Sequence, residues 1–350
     1  LIDGKRQEWA AQNQETYKKF QSEKNEIPSK NNGGAAKPTE DLTAEEKNPE
    51  PTKSVSSKLI ADPILEKAIR NRLNKPTGEL TKADLEKVTG LNFYDNQLTE
   101  VPKGLEKLTQ LTGLYLSDNQ LTNVKGFEKL TQLEYLNLIN NQLTDVKGLE
   151  KLTQLTELVL INNQLTDVKG LEKLTQLTSL GLSDNKLSNV KGLEKLTQLT
   201  ELTLHFNQLR DVKGLEKLTQ LKVLVLGYNQ LTDVKGLEKL TQLTGLNLDG
   251  NKLTDVTGLE KLTKLESLYL KDNKLTKLPE GLEKLTQLKE LYLEDNPDLT
   301  KAQIAELQKA LPNCKISSNP TLTKEESAKV IEAAIREAAK KPTGKLTQAD

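Results

Sequence analysis

Two side chains have the character needed for nucleophilic catalysis, His205 and Cys314, and each is the only residue of its type in the chain. A thiol becomes a useful nucleophile when a base lies within hydrogen-bond reach to keep it as thiolate. Here nearly a third of the chain separates the two. The spacings that serve other chemistries are missing as well. There is no His-Glu-x-x-His to hold a zinc-bound water, no Gly-x-Ser-x-Gly nucleophile turn, no glycine loop followed by lysine to cradle phosphate, and no His and Cys cluster for a metal. No catalytic residue, metal ligand or cofactor is therefore assigned, and the chain is read as non-enzymatic. A single cysteine excludes an internal disulfide framework, and Cys314 is expected to pack as a small apolar residue.

What recurs instead is asparagine: Asn96, Asn119, Asn141, Asn163, Asn185, Asn207, Asn229, Asn251, Asn273 and Asn296, at a constant step that lengthens by one only at the first and last intervals. A fixed period of this size marks units that bury their apolar faces only against one another. One unit, from Leu111 to Thr131, reads LTGLYLSDNQLTNVKGFEKLT. Leu114-Tyr115-Leu116 alternates as a short strand, with the leucines on one face and the tyrosine on the other. Asn119, with two donors and an acceptor on a short amide, can satisfy backbone groups where the chain leaves the strand. Stacked from unit to unit, it predicts an asparagine ladder. The apolar spacing of Val124, Phe127 and Leu130 suits an extended or 3₁₀-like return rather than a long helix. The two longer units each carry their extra residue beside a proline, at Pro102 and Pro279, where a missing N–H is tolerated. A chain this linear puts His205 and Cys314 several units apart.

The pattern LxxLxLxxNxLxxVxxLxxL resembles the leucine-rich repeat family, and more narrowly the bacterial 22-residue class typified by internalins, over about Leu59 to Ser318. The resemblance implies an α/β solenoid: a horseshoe of ten repeats with a parallel β-sheet on the concave side, short 3₁₀ or extended segments on the convex side, and a helical N-terminal cap. At ~4.8 Å per strand, nine steps would span ~43 Å, a surface sized for a macromolecule. It also implies a location at the cell surface or outside the cell.

The ends of the array need polar-faced caps. Residues 58–87 are read as the N-terminal cap. Asp62-Pro63 opens a helix with Leu65, Ala68, Ile69 and Leu73 on one face, and Thr81 to Asp84 forms a capping box opening a second. The array is placed at 88–300, and 301–318 is read as the C-terminal cap, with Ile304, Leu307, Ala310 and Leu311 on a closing helix. Residues 1–57, rich in Pro, Asn, Gly, Thr, Glu and Lys from Pro28 onward, are expected to form a disordered linker or stalk. Residues 319–350 restate the first cap: the KPTG of Lys341 to Gly344 mirrors Lys75 to Gly78. They are read as the start of a second cap, apparently truncated, so that the chain is a fragment; the alternative is a duplicated helix docked on the last repeat. No stretch has the unbroken apolar run of a membrane-spanning helix, and no signal peptide is seen.

Function is sought where the units differ. The return segment VKGLEKLTQLT hardly varies, whereas the positions on the concave side vary widely and collect Tyr94, Tyr115, Tyr135, Tyr228, Tyr269 and Tyr292. Drift after duplication would give the same variation, but exposed tyrosines are also the residues that anchor interfaces. The same positions hold Asp95, Asp118, Glu157, Asp184, Glu201, Asp249, Asp272, Glu290, Glu294 and Asp295 against Lys271. A chain with 50 basic and 50 acidic residues would thus present an acidic inner face, which favours a basic protein surface, allows a glycan, and disfavours nucleic acid. Ile139, Val159 and Ile161 on one side and Phe206, Val225 and Tyr228 on the other, with His205 beside them, are expected to wall a shallow notch at Ser179, Gly181 and Ser183. His205 is expected to be exposed. The reading is a protein recognition or adhesion module; the alternative is a structural spacer holding other domains apart.

Overall fold

A computed structural model of the protein describes residues 58–319, 324–338, 340 and 343. The expected linker or stalk at 1–57 lies outside the described residues, as do most of the KPTG motif and all of the segment after it. Two helices, α1 (Pro63–Leu73) and α2 (Lys82–Leu85), precede ten strands. These are β1 (Gly90–Asn92), β2 (Gly113–Tyr115), β3 (Tyr135–Asn137), β4 (Glu157–Val159), β5 (Ser179–Gly181), β6 (Glu201–Thr203), β7 (Val223–Val225), β8 (Gly245–Asn247), β9 (Ser267–Tyr269) and β10 (Glu290–Tyr292). Helix α3 (Lys301–Ala310), strand β11 (Lys315–Ser317) and helix α4 (Lys324–Ala338) follow. All eleven strands form one parallel sheet in chain order, and each pairing sets equivalent residues opposite one another, as in Leu114↔Leu136 and Leu136↔Leu158.

The expected return is 3₁₀: eight turns of Leu-Glu-Lys, from Leu105–Lys107 to Leu282–Lys284, lie opposite the sheet. Each is preceded by a glycine in a left-handed conformation, φ 107° at Gly148 for example, which an L residue would adopt only under strain. The glutamate of each turn folds back: Glu150 Oε2 accepts from the Gly148 N–H at 2.6 Å. Its own N–H and that of Gly148 hold the Glu150 carboxyl below the usual carboxylate range. Between sheet and turns runs one continuous core of leucines, among them Leu114, Leu116, Leu121 and Leu130, all fully buried.

The ladder expected from the asparagines is present. Asn163 Nδ2 donates to the carbonyls of Leu138, Leu160 and Ile161 at 2.9, 3.1 and 3.3 Å, and its Oδ1 accepts from the Leu143 N–H at 3.0 Å. Two of those four partners belong to the preceding unit. The first rung differs, since Asn96 is exposed and its side-chain amide donates to Tyr94 O alone.

The caps follow the expected local chemistry. Asp62 accepts from the N–H groups of Ile64 and Leu65, and Thr81 and Asp84 form the capping box. A 2.7 Å contact from Lys75 Nζ, with the Thr81 N–H, holds the Asp84 carboxyl far below the carboxylate range. Leu65 and Ile69 are fully buried, and Ala68 and Leu73 pack partly against the same core. At the other end Thr300 and Gln303 cap α3, and Leu307, Leu311 and Cys314 close the core. Burial pushes the Cys314 thiol up to about 11, so it is a packed thiol rather than a ready nucleophile.

Candidate binding surface

Each unit presents four residues on the sheet side that do not point into the leucine core, and β2 shows them as Gly113, Tyr115, Ser117 and Asp118. The fourth, just before the ladder asparagine, has a left-handed backbone in every unit. It is Asp95, Asp118, Asn140, Asn162, Asp184, Phe206, Tyr228, Gly250, Asp272 or Asp295, with φ between 50° and 63°. Asp, Asn and Gly tolerate that conformation. Five of the ten acids expected on this face occupy this position, so part of the acidity is turn chemistry.

Phe206 and Tyr228 break the rule in adjacent units. A bulky L residue in the left-handed region costs roughly 1–2 kcal/mol. Their rings stack at 4.5 Å between centroids and 8° between planes, and His205 meets Phe206 edge-on at 5.4 Å. The next unit supplies the seat. The Tyr228 ring lies across Gly250, where an added Cβ would fall 2.5 Å from Tyr228 Cδ1. Two further pairs sit toward the ends, Tyr115 with Tyr135 at 4.8 Å and Tyr269 with Tyr292 at 4.8 Å. All six of these aromatic residues are half-buried; Tyr94, in the first unit, is exposed. Burial pushes the hydroxyls of Tyr135 and Tyr269 up to about 12. These rings are therefore held in fixed pairs.

The expected notch is not there. Ile139, Val159, Ile161 and Val225 are buried. The space over Gly181 is occupied from the preceding unit: an added Cβ would lie 3.1 Å from Val159 Cγ1 and 3.2 Å from Ile161 Cδ1. A bulky residue at 181 would disturb packing rather than block a groove. Nor is His205 exposed. It is 3% accessible, shares a 2.7 Å hydrogen bond with Ser183 Oγ through Nδ1, and holds Nε2 4.0 Å from Asp184 Oδ2. Serine, imidazole and carboxylate are adjacent, but Ser183 is wholly buried, so the group fastens one strand to the next and has no opening for an acyl substrate. Asp184, at the edge of this cluster, and Glu201 remain half-buried.

One acid of the face turns inward. Asp249 is buried; its Oδ1 accepts from the Lys271 N–H at 2.7 Å and its Oδ2 from the Asn247 amide at 3.2 Å. Burial pushes the carboxyl up to about 7, against the pull of those two donors and with a further rise from Glu294. This group was expected to be exposed. One of its two partners, Lys271, lies a full repeat further along the chain, although the nearby Gly227 and Gly250 were a visible sign of side chains folding over.

Residues 109–151, 131–173, 175–217, 219–261 and 263–309 match the family described as Leucine Rich repeats (2 copies). Among solved structures, internalin C2 of Listeria monocytogenes is similar at 31% identity, with 61% of this chain and 94% of that chain covered and a TM-score of 0.58. An internalin of the same organism, InlF, matches at 27% identity, covering 76% and 92%, with a TM-score of 0.53. A leucine-rich repeat protein of Leptospira interrogans matches at 30% identity, covering 68% and 69%, with a TM-score of 0.58. No curated protein sequence matches the chain. Among the described residues no helix is long and apolar enough to cross a membrane.

Proposed function

Because this chain belongs to the leucine-rich repeat family and is internalin-like within it, a class of protein-binding folds, we propose that it is a recognition module that engages a protein partner through the concave sheet. The observation that carries this reading is the Phe206 and Tyr228 pair. Eight of the ten equivalent positions hold Asp, Asn or Gly, as the backbone there prefers, and the two aromatics accept strain to stand side by side. Drift under selection for folding alone removes such residues, whereas strain retained at one place on a surface points to use. Rings already stacked lose little entropy on contact and offer a flat apolar anchor. The pairs Tyr115 with Tyr135 and Tyr269 with Tyr292 extend the platform to either side.

Asp118, Asp184, Glu201, Asp272 and Glu290, half-buried around these rings, would favour a basic protein surface and give binding that weakens with salt. A glycan laid across the rings is the other ligand this surface suits. The likeness to internalins supports action at the cell surface or in secreted form, as an adhesion or recognition protein.

The test is capture of proteins from cell-surface and secreted extracts with the native chain and with a Phe206→Asn/Tyr228→Asn variant. Relief of backbone strain and loss of ring stacking oppose one another, so stability should stay within about 1 kcal/mol of native. A partner held by the native chain at low salt, released by added salt and lost with the variant is the expected result. If both chains retain the same set, or none, the array acts as a spacer.

A further inference from the structure

Helix α4 repeats helix α1 near the other end of the chain. Over 65–84 and 331–350, twelve of twenty residues are identical, and the structural details coincide. Arg70 pairs with Glu66 at 2.8 Å and Arg336 with Glu332 at 2.6 Å, each one helical turn apart. Asn74 and Lys340 both have φ 50° after the last helical turn. The Asn74 N–H donates to Asn71 O at 3.2 Å, and the Lys340 N–H donates to Glu337 O at 3.1 Å. A lysine adopts that left-handed backbone less readily than asparagine, so its recurrence reflects the same helix stop.

Exposure separates the two helices, and it does so on one face only. Ile64 and its counterpart Val330 are both exposed, at 38% and 54%. Leu65 and Ile69, by contrast, are fully buried, while their counterparts Ile331 and Ile335 are 59% and 37% exposed. In α1 that face covers the first repeat: Leu65 Cδ2 lies 3.5 Å from where a Cβ on Gly104 would be, and Asp62 Oδ2 accepts from the Lys103 N–H at 3.2 Å. An open leucine-rich repeat edge needs such a cover, and the cover is apolar on the side it presents to that edge.

From this we infer that α4 is a repeat-capping helix and that its Ile331 and Ile335 face is a docking surface for the first strand and turn of a further leucine-rich repeat array. The required partner surface is the one α1 covers: a short parallel strand flanked by a Gly-Leu-Glu-Lys turn. This inference is independent of the concave-face reading.

The experiment uses the full chain with residues 331–343 grafted over 65–77, which introduces Leu65→Ile, Lys67→Ala, Asn71→Glu, Arg72→Ala, Leu73→Ala and Asn74→Lys while leaving the Asp62 cap in place. The grafted chain should unfold in urea as one cooperative transition, and amide exchange in β1 should stay within about tenfold of native. Adding Ile→Glu at grafted positions 65 and 69 should abolish that protection, whereas Ile331→Glu/Ile335→Glu in the native chain should leave the urea midpoint unchanged. A graft that frays β1 as badly as its glutamate variant would overturn the assignment. So would sedimentation of the native chain as a dimer that Ile331→Glu/Ile335→Glu dissociates, because the face would then belong to a second copy.

Discussion

Replacing Asn163 with leucine should lower the stability of the array by about 3–5 kcal/mol, an effect that every fully bonded rung of the ladder shares. The Leu143 N–H loses the one partner that reaches it, at a cost of about 1–3 kcal/mol for a buried donor left open, and three carbonyl contacts vanish at roughly 0.5–1.5 kcal/mol each. Those carbonyls keep other partners: Leu138 O still receives Asn141, and Leu160 O still receives Asn185. That sharing keeps the total from rising further. Asn96→Leu is the natural reference, because its exposed amide makes one short-range bond and its loss should cost under about 1 kcal/mol. Urea unfolding followed by circular dichroism would decide: equal midpoints for the two variants would remove the ladder from the stability argument. A defect in mid-array should also divide the melt into two transitions, because each unit couples only to its neighbours.

Stability should fall as pH rises from 4 to 8, and Asp249 is the cause. Its carboxyl stands at about 7 in the folded chain, against 3.8 as the unperturbed value, so the folded state holds the proton more firmly than the unfolded one. The protonated acid is the stabilised form. Its contribution is fully present below pH 3.8 and is lost as pH climbs through 7, by about 1.4 kcal/mol per unit of difference, or about 4 kcal/mol in all. Glu150, Glu172 and Glu194 are shifted the other way by backbone N–H groups. They lose stability only as pH falls through their lowered values, and their exposure makes that loss small. Asp249→Asn keeps an acceptor for the Lys271 N–H and removes the titration. Urea midpoints at pH 4.5, 6 and 8 should therefore slope in the native chain and lie flat in the variant. A native chain that gains stability over this interval would show that Asp249 is ionised without penalty.

How much of this was legible beforehand follows from distance along the chain. The leucine core, the ladder and the caps are set within one unit or by strict repetition. Leu114 and Leu116, Asn119, the Asp62 and Thr81 caps and the 3₁₀ returns could thus be read from residue spacing. The concave side is different. Whether Gly181 leaves a notch is decided by Val159 and Ile161 leaning across it, and whether His205 faces solvent is decided by Ser183. Asp249 is held by Asn247 beside it and by the Lys271 N–H of the next unit. Alternation assigns a residue to a face but says nothing about what its equivalent in the neighbouring unit does over it. The row of Asp or Asn before the ladder asparagines was in plain view, with Phe206 and Tyr228 among its exceptions, and only the backbone angles show that these two share its left-handed conformation.

The ladder also has a direction. Each asparagine reaches back: the Asn163 amide serves Leu138 and Leu143 of the unit before it, and Asn185 serves Leu160 and Leu165 in turn. The first unit owes nothing to a predecessor, consistent with the solvent-facing Asn96. A chain leaving the ribosome from its N-terminus meets these bonds in the order in which they can be made, with every newly emerged unit closing the groups left open on the one already in place. The unfinished edge is always the growing one, so synthesis and assembly advance together and a pause in translation leaves only one ragged layer to protect.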